Sequence, residues 1–76
     1  MPRLHALSTK ELVRALEGAG FVRWRQKGSH LTLYREGDRK ALTIPIHSGK
    51  TVPKGTLHAI LRQAGLSLEE LSRLRS

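Results

Sequence analysis

The chain contains no cysteine, which excludes disulfides and thiolate metal sites. No apolar run approaches the ~20 residues of a membrane span, and the N-terminus lacks the apolar core of a signal peptide. We therefore expect a cytoplasmic protein with no membrane association.

Acidic residues are few, 6 Asp and Glu against 14 Lys and Arg, so the formal net charge is +8. This excess predicts a polyanionic partner, either nucleic acid or an acidic protein.

Aromatic residues are also scarce, with one Phe, one Trp and one Tyr. Because a small core needs large side chains, we expect Phe21 and Trp24 to pack inside, while Tyr34 is open to either packing or base stacking. The length of 76 residues, 38% of them hydrophobic, predicts one globular domain over residues 1–76. So short a chain has no room for a deep substrate cavity.

The positive charge is concentrated in the middle of the chain. Residues 1–20 and 57–76 each carry a net charge of +1, whereas residues 21–56 carry +6. A polyanion is therefore expected to contact this central segment.

Two capping boxes predict helix starts, because Ser8 precedes Glu11 by three positions and Ser67 precedes Glu70 by three. Apolar residues at helical spacing follow the first box, which predicts a helix over roughly residues 9–19. We expect Gly20 to end that helix in the left-handed conformation.

A second helix is predicted before the second box. Pro53 suits the first helical position, apolar residues recur from Leu57 to Ala64, and Gly65 closes the segment. The box at Ser67 then opens a short terminal helix.

Between the helices the apolar period changes to two, which predicts three short antiparallel strands. In the first strand, alternation places Arg23, Arg25 and Lys27 on one face and Trp24 on the other. In the second strand, His30 points away from the core. The order α-β-β-β-α predicts a small α+β domain, a three-stranded antiparallel sheet with its helices on one face and a short extra C-terminal helix.

His30 is the strongest candidate for chemistry. Histidine exchanges protons near neutral pH, so a neutral imidazole could accept the 2′-hydroxyl proton of RNA as that oxygen attacks the adjacent phosphorus. Arg23, Arg25 and Lys27 could hold the phosphate, and Gly28 leaves the approach open. The alternative is an ordinary surface histidine in a turn. The four histidines are too scattered to predict a metal site.

A second candidate is the loop His47-Ser48-Gly49-Lys50, which leads into Pro53-Lys54-Gly55-Thr56. A helix N-terminus offers backbone N–H groups and a favourable dipole to a phosphate, and Lys50 and Lys54 add full charges. An ordinary solvated loop explains the same residues equally well.

Several segments together resemble one family. They are Gly20-Phe21, Lys27-Gly28-Ser29-His30, Ile44-Pro45-Ile46-His47 and Lys54-Gly55-Thr56-Leu57 through Leu66. In this order and spacing the chain resembles the HicA (YcfA-like) toxins of bacterial and archaeal type II toxin–antitoxin systems. Each motif is weak alone, but the match covers nearly the whole chain.

The resemblance implies a double-stranded-RNA-binding-domain-like fold and an mRNA interferase, an endoribonuclease that cleaves mRNA without a metal ion or other cofactor and arrests growth. It implies that His30, with Ser29 beside it, is the catalytic residue and that a HicB-like antitoxin covers it. Many members carry a second histidine where this chain has Leu31, so no adjacent imidazole can assist. His47 matches the family's Pro-x-His segment, as either a catalytic or a structural residue.

Two other functions fit the residues. One is a non-catalytic RNA-binding module of the same fold, and the other is a domain that binds only an acidic protein.

Overall fold

The fold is described from a computed structural model, for residues 7–46 and 51–75. Three strands form one antiparallel sheet in the order β1-β2-β3, so the predicted α-β-β-β-α order of a small α+β domain is confirmed. No described helix is long and apolar enough to cross a membrane. The elements are α1 (Thr9–Gly18), β1 (Val22–Lys27), β2 (His30–Arg35), β3 (Lys40–Pro45), α2 (Lys54–Ala64) and α3 (Leu68–Arg75).

Both predicted capping boxes are present. The Ser8 hydroxyl accepts a hydrogen bond from the Glu11 N–H at 3.1 Å, and the Glu11 carboxylate accepts one from the Ser8 N–H at 2.9 Å. The Ser67 and Glu70 pair makes the same two bonds, each 3.0 Å long. The backbone N–H of Ser67, which donates to the Glu70 carboxylate, is the main reason why the pKa of Glu70 lies below its usual value.

The predicted glycine stops are confirmed as well. After α1, Gly20 has a φ of +101°, and the Phe21 N–H donates back to the Leu16 carbonyl at 3.1 Å. After α2, Gly65 has a φ of +72°, and a Cβ there would lie 2.8 Å from Lys40 Nζ. Pro53 differs from its prediction, because it caps α2 one residue before the first helical position.

The core lies between the helices and one face of the sheet, here called the inner face. On this face Leu31 and Leu33 of β2 and Leu42 and Ile44 of β3 are buried against Phe21 and the helices. The buried apolar side chains of the described helices and strands form one cluster, in which α2 packs on β3 and α3 packs on α1, as expected for a chain too short for two cores. None of the described helices covers the opposite face of the sheet.

A β-bulge in β1 changes the predicted alternation. Arg23 pairs with Leu33 and Arg25 pairs with Thr32, so Trp24 is an extra residue without a partner on β2. Because directly paired residues share a face, Arg23 lies on the inner side, and the prediction that it shares a face with Arg25 is wrong.

The prediction that Trp24 packs in the core is also wrong. Its side chain is 59% exposed, whereas Phe21, the other predicted core aromatic, is 1% exposed. Val22 pairs with Tyr34 on the side of the sheet opposite the helices, and Trp24, two residues later, stays on the side of Val22. The extra residue in β1 brings Arg25 to that side as well.

Arg35, the last residue of β2, connects the ends of two helices. Its guanidinium donates to the carbonyls of Ala19 and Ala64 at 3.0 and 3.1 Å and lies 4.3 Å from the centre of the Phe21 ring. Asp38 accepts two further hydrogen bonds from it, at 3.0 and 2.8 Å. These bonds are the main reason why the pKa of Asp38 is lowered, and they raise the pKa of Arg35.

Candidate nucleic-acid interface

The candidate site lies on the sheet face opposite the core, which no helix in residues 7–46 and 51–75 covers, and we call it the outer face. Its side chains share a face because they pair directly across the strands or belong to the bulge. They are Val22, Trp24, Arg25 and Lys27 of β1, His30, Thr32 and Tyr34 of β2, and Ala41, Thr43 and Pro45 of β3. This set contains no carboxylate, so its charges are all positive.

His30 is the first residue of the central strand and is exposed on the outer face. It is flanked by Lys27 on β1 and Pro45 on β3, its two partners in the sheet. A cavity of about 330 Å³ is lined by His30 together with Arg25, Lys27 and Thr32. The structure therefore brings three of the predicted site residues, His30, Arg25 and Lys27, to one place.

The turn before His30 fixes the start of β2. Gly28 occupies the first central position with a φ of +59°, a value that a type II′ hairpin turn requires and that glycine adopts freely. A Cβ on Gly28 would meet no atom within 4 Å, so the backbone angle rather than space favours glycine. The Ser29 carbonyl accepts a hydrogen bond from the Ile46 N–H at 2.6 Å, which ties the turn to the end of β3.

An aromatic cluster lies on the same face. The rings of Trp24 and Tyr34 are 6.0 Å apart between centroids, tilted by 51°. The guanidinium of Arg25 lies 4.8 Å from the centre of the Trp24 ring, within the range of a cation–π contact. Sequence reasoning missed Trp24 as a surface residue, because nothing in the local pattern signals the bulge.

Arg25 and Lys27 are available to bind an anion. In residues 7–46 and 51–75, no ion pair includes either side chain. Their charges are therefore not neutralised by a carboxylate in the described part of the molecule. Within that same part, no group of three or more His, Cys, Asp or Glu side chains is placed to hold a metal ion.

The other predicted residues do not line this cavity. Arg23 lies on the other side of the sheet, where its Nε is 3.7 Å from the carboxylate of Glu17 on α1. Lys54 is exposed in the first turn of α2, whose N-cap residue Pro53 makes no side-chain capping bond. The predictions for His47 and Lys50 fall outside the described residues.

These features define a small α+β domain in which the sheet face that no described helix covers combines positive charge with an exposed tryptophan ring and a half-buried tyrosine ring, the residue types that contact nucleic acids. The family of the HicA toxin of bacterial toxin–antitoxin systems matches residues 9–66, from the start of α1 to just beyond α2. The chain belongs to the HicA toxin family. It is therefore the toxin of a toxin–antitoxin system, with an antitoxin as its partner. No curated protein sequence matches the chain.

Proposed function

We propose that this toxin is an endoribonuclease that cleaves mRNA in the cytoplasm without a metal ion, with His30 as the general base. The observation that carries the proposal is the position of His30, exposed on the outer face in a cavity that it shares with Arg25 and Lys27. A proton acceptor beside two cations free of ion pairs suits a reaction at a phosphodiester. The catalytic family to which the chain belongs adds support.

In the proposed reaction, neutral His30 accepts the proton of a 2′-hydroxyl as the oxygen forms a bond to the neighbouring phosphorus. The bond from phosphorus to the 5′-oxygen breaks, which leaves a 2′,3′-cyclic phosphate and a 5′-hydroxyl. Lys27, His47 and solvent are the candidates for the acid that protonates the leaving oxygen. DNA lacks the attacking hydroxyl, so only RNA is a substrate.

Arg25 and Lys27 bind the reacting phosphate and offset the negative charge that develops on it. Contacts to RNA from Gly28, Ser29, Lys50 and Lys54 remain predictions. A HicB-like antitoxin would inhibit the toxin by covering His30.

The test compares the wild-type protein with His30→Ala on RNA in the presence of a chelator. We expect the cleavage rate to fall by at least about 100-fold in His30→Ala, the usual effect of removing a general base. His58→Ala is the matched control, because His58 is exposed on α2 and lies outside the outer face. Equal cleavage by wild type and His30→Ala, or cleavage only after a metal is added, would refute the proposal.

The second candidate function is a non-catalytic RNA-binding module. The positive charge of the outer face and its exposed Trp24 ring support RNA binding with or without cleavage, since neither feature requires catalysis. Its signature would be a salt-sensitive affinity for RNA that His30→Ala leaves unchanged, together with no cleavage products from any variant.

A further inference from the structure

We infer that Trp24 stacks on an unpaired base, so that the RNA bound at His30 is single-stranded. The inference rests on the proposed function, because it names the class of RNA that reaches His30.

The first argument is the exposure of Trp24. In the described part of the chain, Val22 and Trp24 are the only exposed large hydrophobic residues, and both lie on the outer face. Burying a tryptophan stabilises a small core, yet this chain keeps its single tryptophan in solvent. An exposed aromatic ring of this kind indicates a binding surface more strongly than a packing role.

The second argument is that neighbouring side chains hold the ring in place. Arg25 lies over one face of the indole at 4.8 Å, and Tyr34 contacts it in a tilted arrangement at 6.0 Å. A base would stack on the face opposite Arg25. Because the ring is already positioned, stacking costs little side-chain entropy.

The third argument is the position of the phosphate-binding charges. Arg25 pairs with Thr32, so it lies between the aromatic cluster and His30 along the sheet, and Lys27 pairs with His30 and lies level with it. The bulged Trp24 lies between the Leu33 and Thr32 pairs, and at about 3.4 Å per residue this is about 7–10 Å from His30 along β2. A short single strand crosses this distance with a base on Trp24, phosphates beside Arg25 and Lys27, and its sugar at His30.

A duplex does not fit this arrangement. In a duplex the faces of the bases are covered by their neighbours, and proteins contact it through the phosphates and the 2′-hydroxyls of the shallow groove. Stacking on an aromatic side chain requires an unpaired base.

The experiment uses the fluorescence of Trp24, the only tryptophan in the chain. The wild-type protein is titrated with a 2′-O-methyl RNA oligonucleotide, which has no free 2′-hydroxyl and is not cleaved, and separately with its duplex. We expect the single strand to quench the fluorescence and to bind at least about tenfold more tightly than the duplex.

Variants are compared by the anisotropy of labelled oligonucleotide. Trp24→Ala should weaken single-strand binding about tenfold and duplex binding little, while Trp24→Phe should retain part of the affinity. The matched control is His58→Ala, because His58 carries an exposed ring on α2 and lies outside the outer face. If Trp24→Ala does not fold, the quenching of the wild-type protein and the affinity of Trp24→Phe still test the inference.

Two results would overturn the inference. One is the absence of quenching by the single strand, or an equal preference for the duplex. The other is a fluorescence change on adding the purified antitoxin but none on adding RNA, which would assign Trp24 to a protein interface. The binding experiment does not measure cleavage, so the two proposals can fail separately. If the protein cleaves RNA but RNA does not quench Trp24, only the stacking proposal is refuted. If RNA quenches Trp24 but is not cleaved, only the proposed ribonuclease activity is refuted.

Discussion

The inner and outer faces of β2 and β3 differ in burial and in side-chain chemistry. On the inner face Leu31, Leu33, Leu42 and Ile44 are at most 3% exposed and pack against the helices. On the outer face no residue is buried, and the charged side chains are all basic. The difference shows that the inner face builds the core of the domain, whereas the side chains of the outer face are not needed for it.

This division makes opposite predictions for the two faces. Substitutions on the inner face should change stability and leave the RNA affinity of the folded protein intact. Substitutions on the outer face should do the reverse. Each variant below is therefore measured both by thermal unfolding and by affinity for 2′-O-methyl RNA.

The largest expected effect on stability is that of Leu33→Ala, because Leu33 is fully buried in the middle of the central strand. Loss of its side chain should lower the free energy of unfolding by about 3 kcal/mol. The control Thr43→Ala, exposed on the outer face of β3, should change it by less than about 0.5 kcal/mol. Similar melting temperatures for the two variants would contradict the division between faces.

Arg35→Met should have an intermediate effect. Methionine keeps much of the apolar contact with Phe21 but leaves the carbonyls of Ala19 and Ala64 without their donor, at a cost of about 2 kcal/mol in unfolding free energy. Chemical denaturation measures the loss. The control is Arg23→Met, which removes only an exposed ion pair and should cost less than about 1 kcal/mol. An equal loss in both variants would mean that Arg35 does not stabilise the helix ends.

The smallest effect should come from acid. The pKa values of Asp38 and Glu70 are lowered in the folded protein from ordinary values of 3.8 and 4.5. Their contribution to stability is therefore complete above those values and is lost as the pH falls through the lower values of the folded state. We expect the melting temperature to fall below about pH 4.5, less steeply in Asp38→Asn. An unchanged slope in Asp38→Asn would exclude this carboxyl as a cause.

The helix boundaries could be predicted because their signals are local. Each capping box joins residues three positions apart, and each glycine stop depends on one backbone angle and the preceding turn. The position of His30 on the outer face was predictable for the same reason, since alternation along β2 is regular.

The bulge at Trp24 was not predictable, because it arises from how β1 pairs with β2 and not from the sequence of β1 alone. The hydrogen-bond partners of Arg35 could not be predicted from the sequence for a related reason. They lie 16 and 29 positions away along the chain and come together only when both helices are in place.

The edge strand β1 contributes no buried side chain, and this has a consequence for how the toxin can diverge. If β1 gained or lost one residue, every side chain beyond that position in the strand would move to the opposite face of the sheet. The buried side chains Leu31, Leu33, Leu42 and Ile44 would stay in place, because they belong to β2 and β3. The insertion or deletion of a single codon there would replace several exposed side chains of one sheet face at once. A change in the length of β1 would therefore alter the chemistry of this surface without rebuilding the interior.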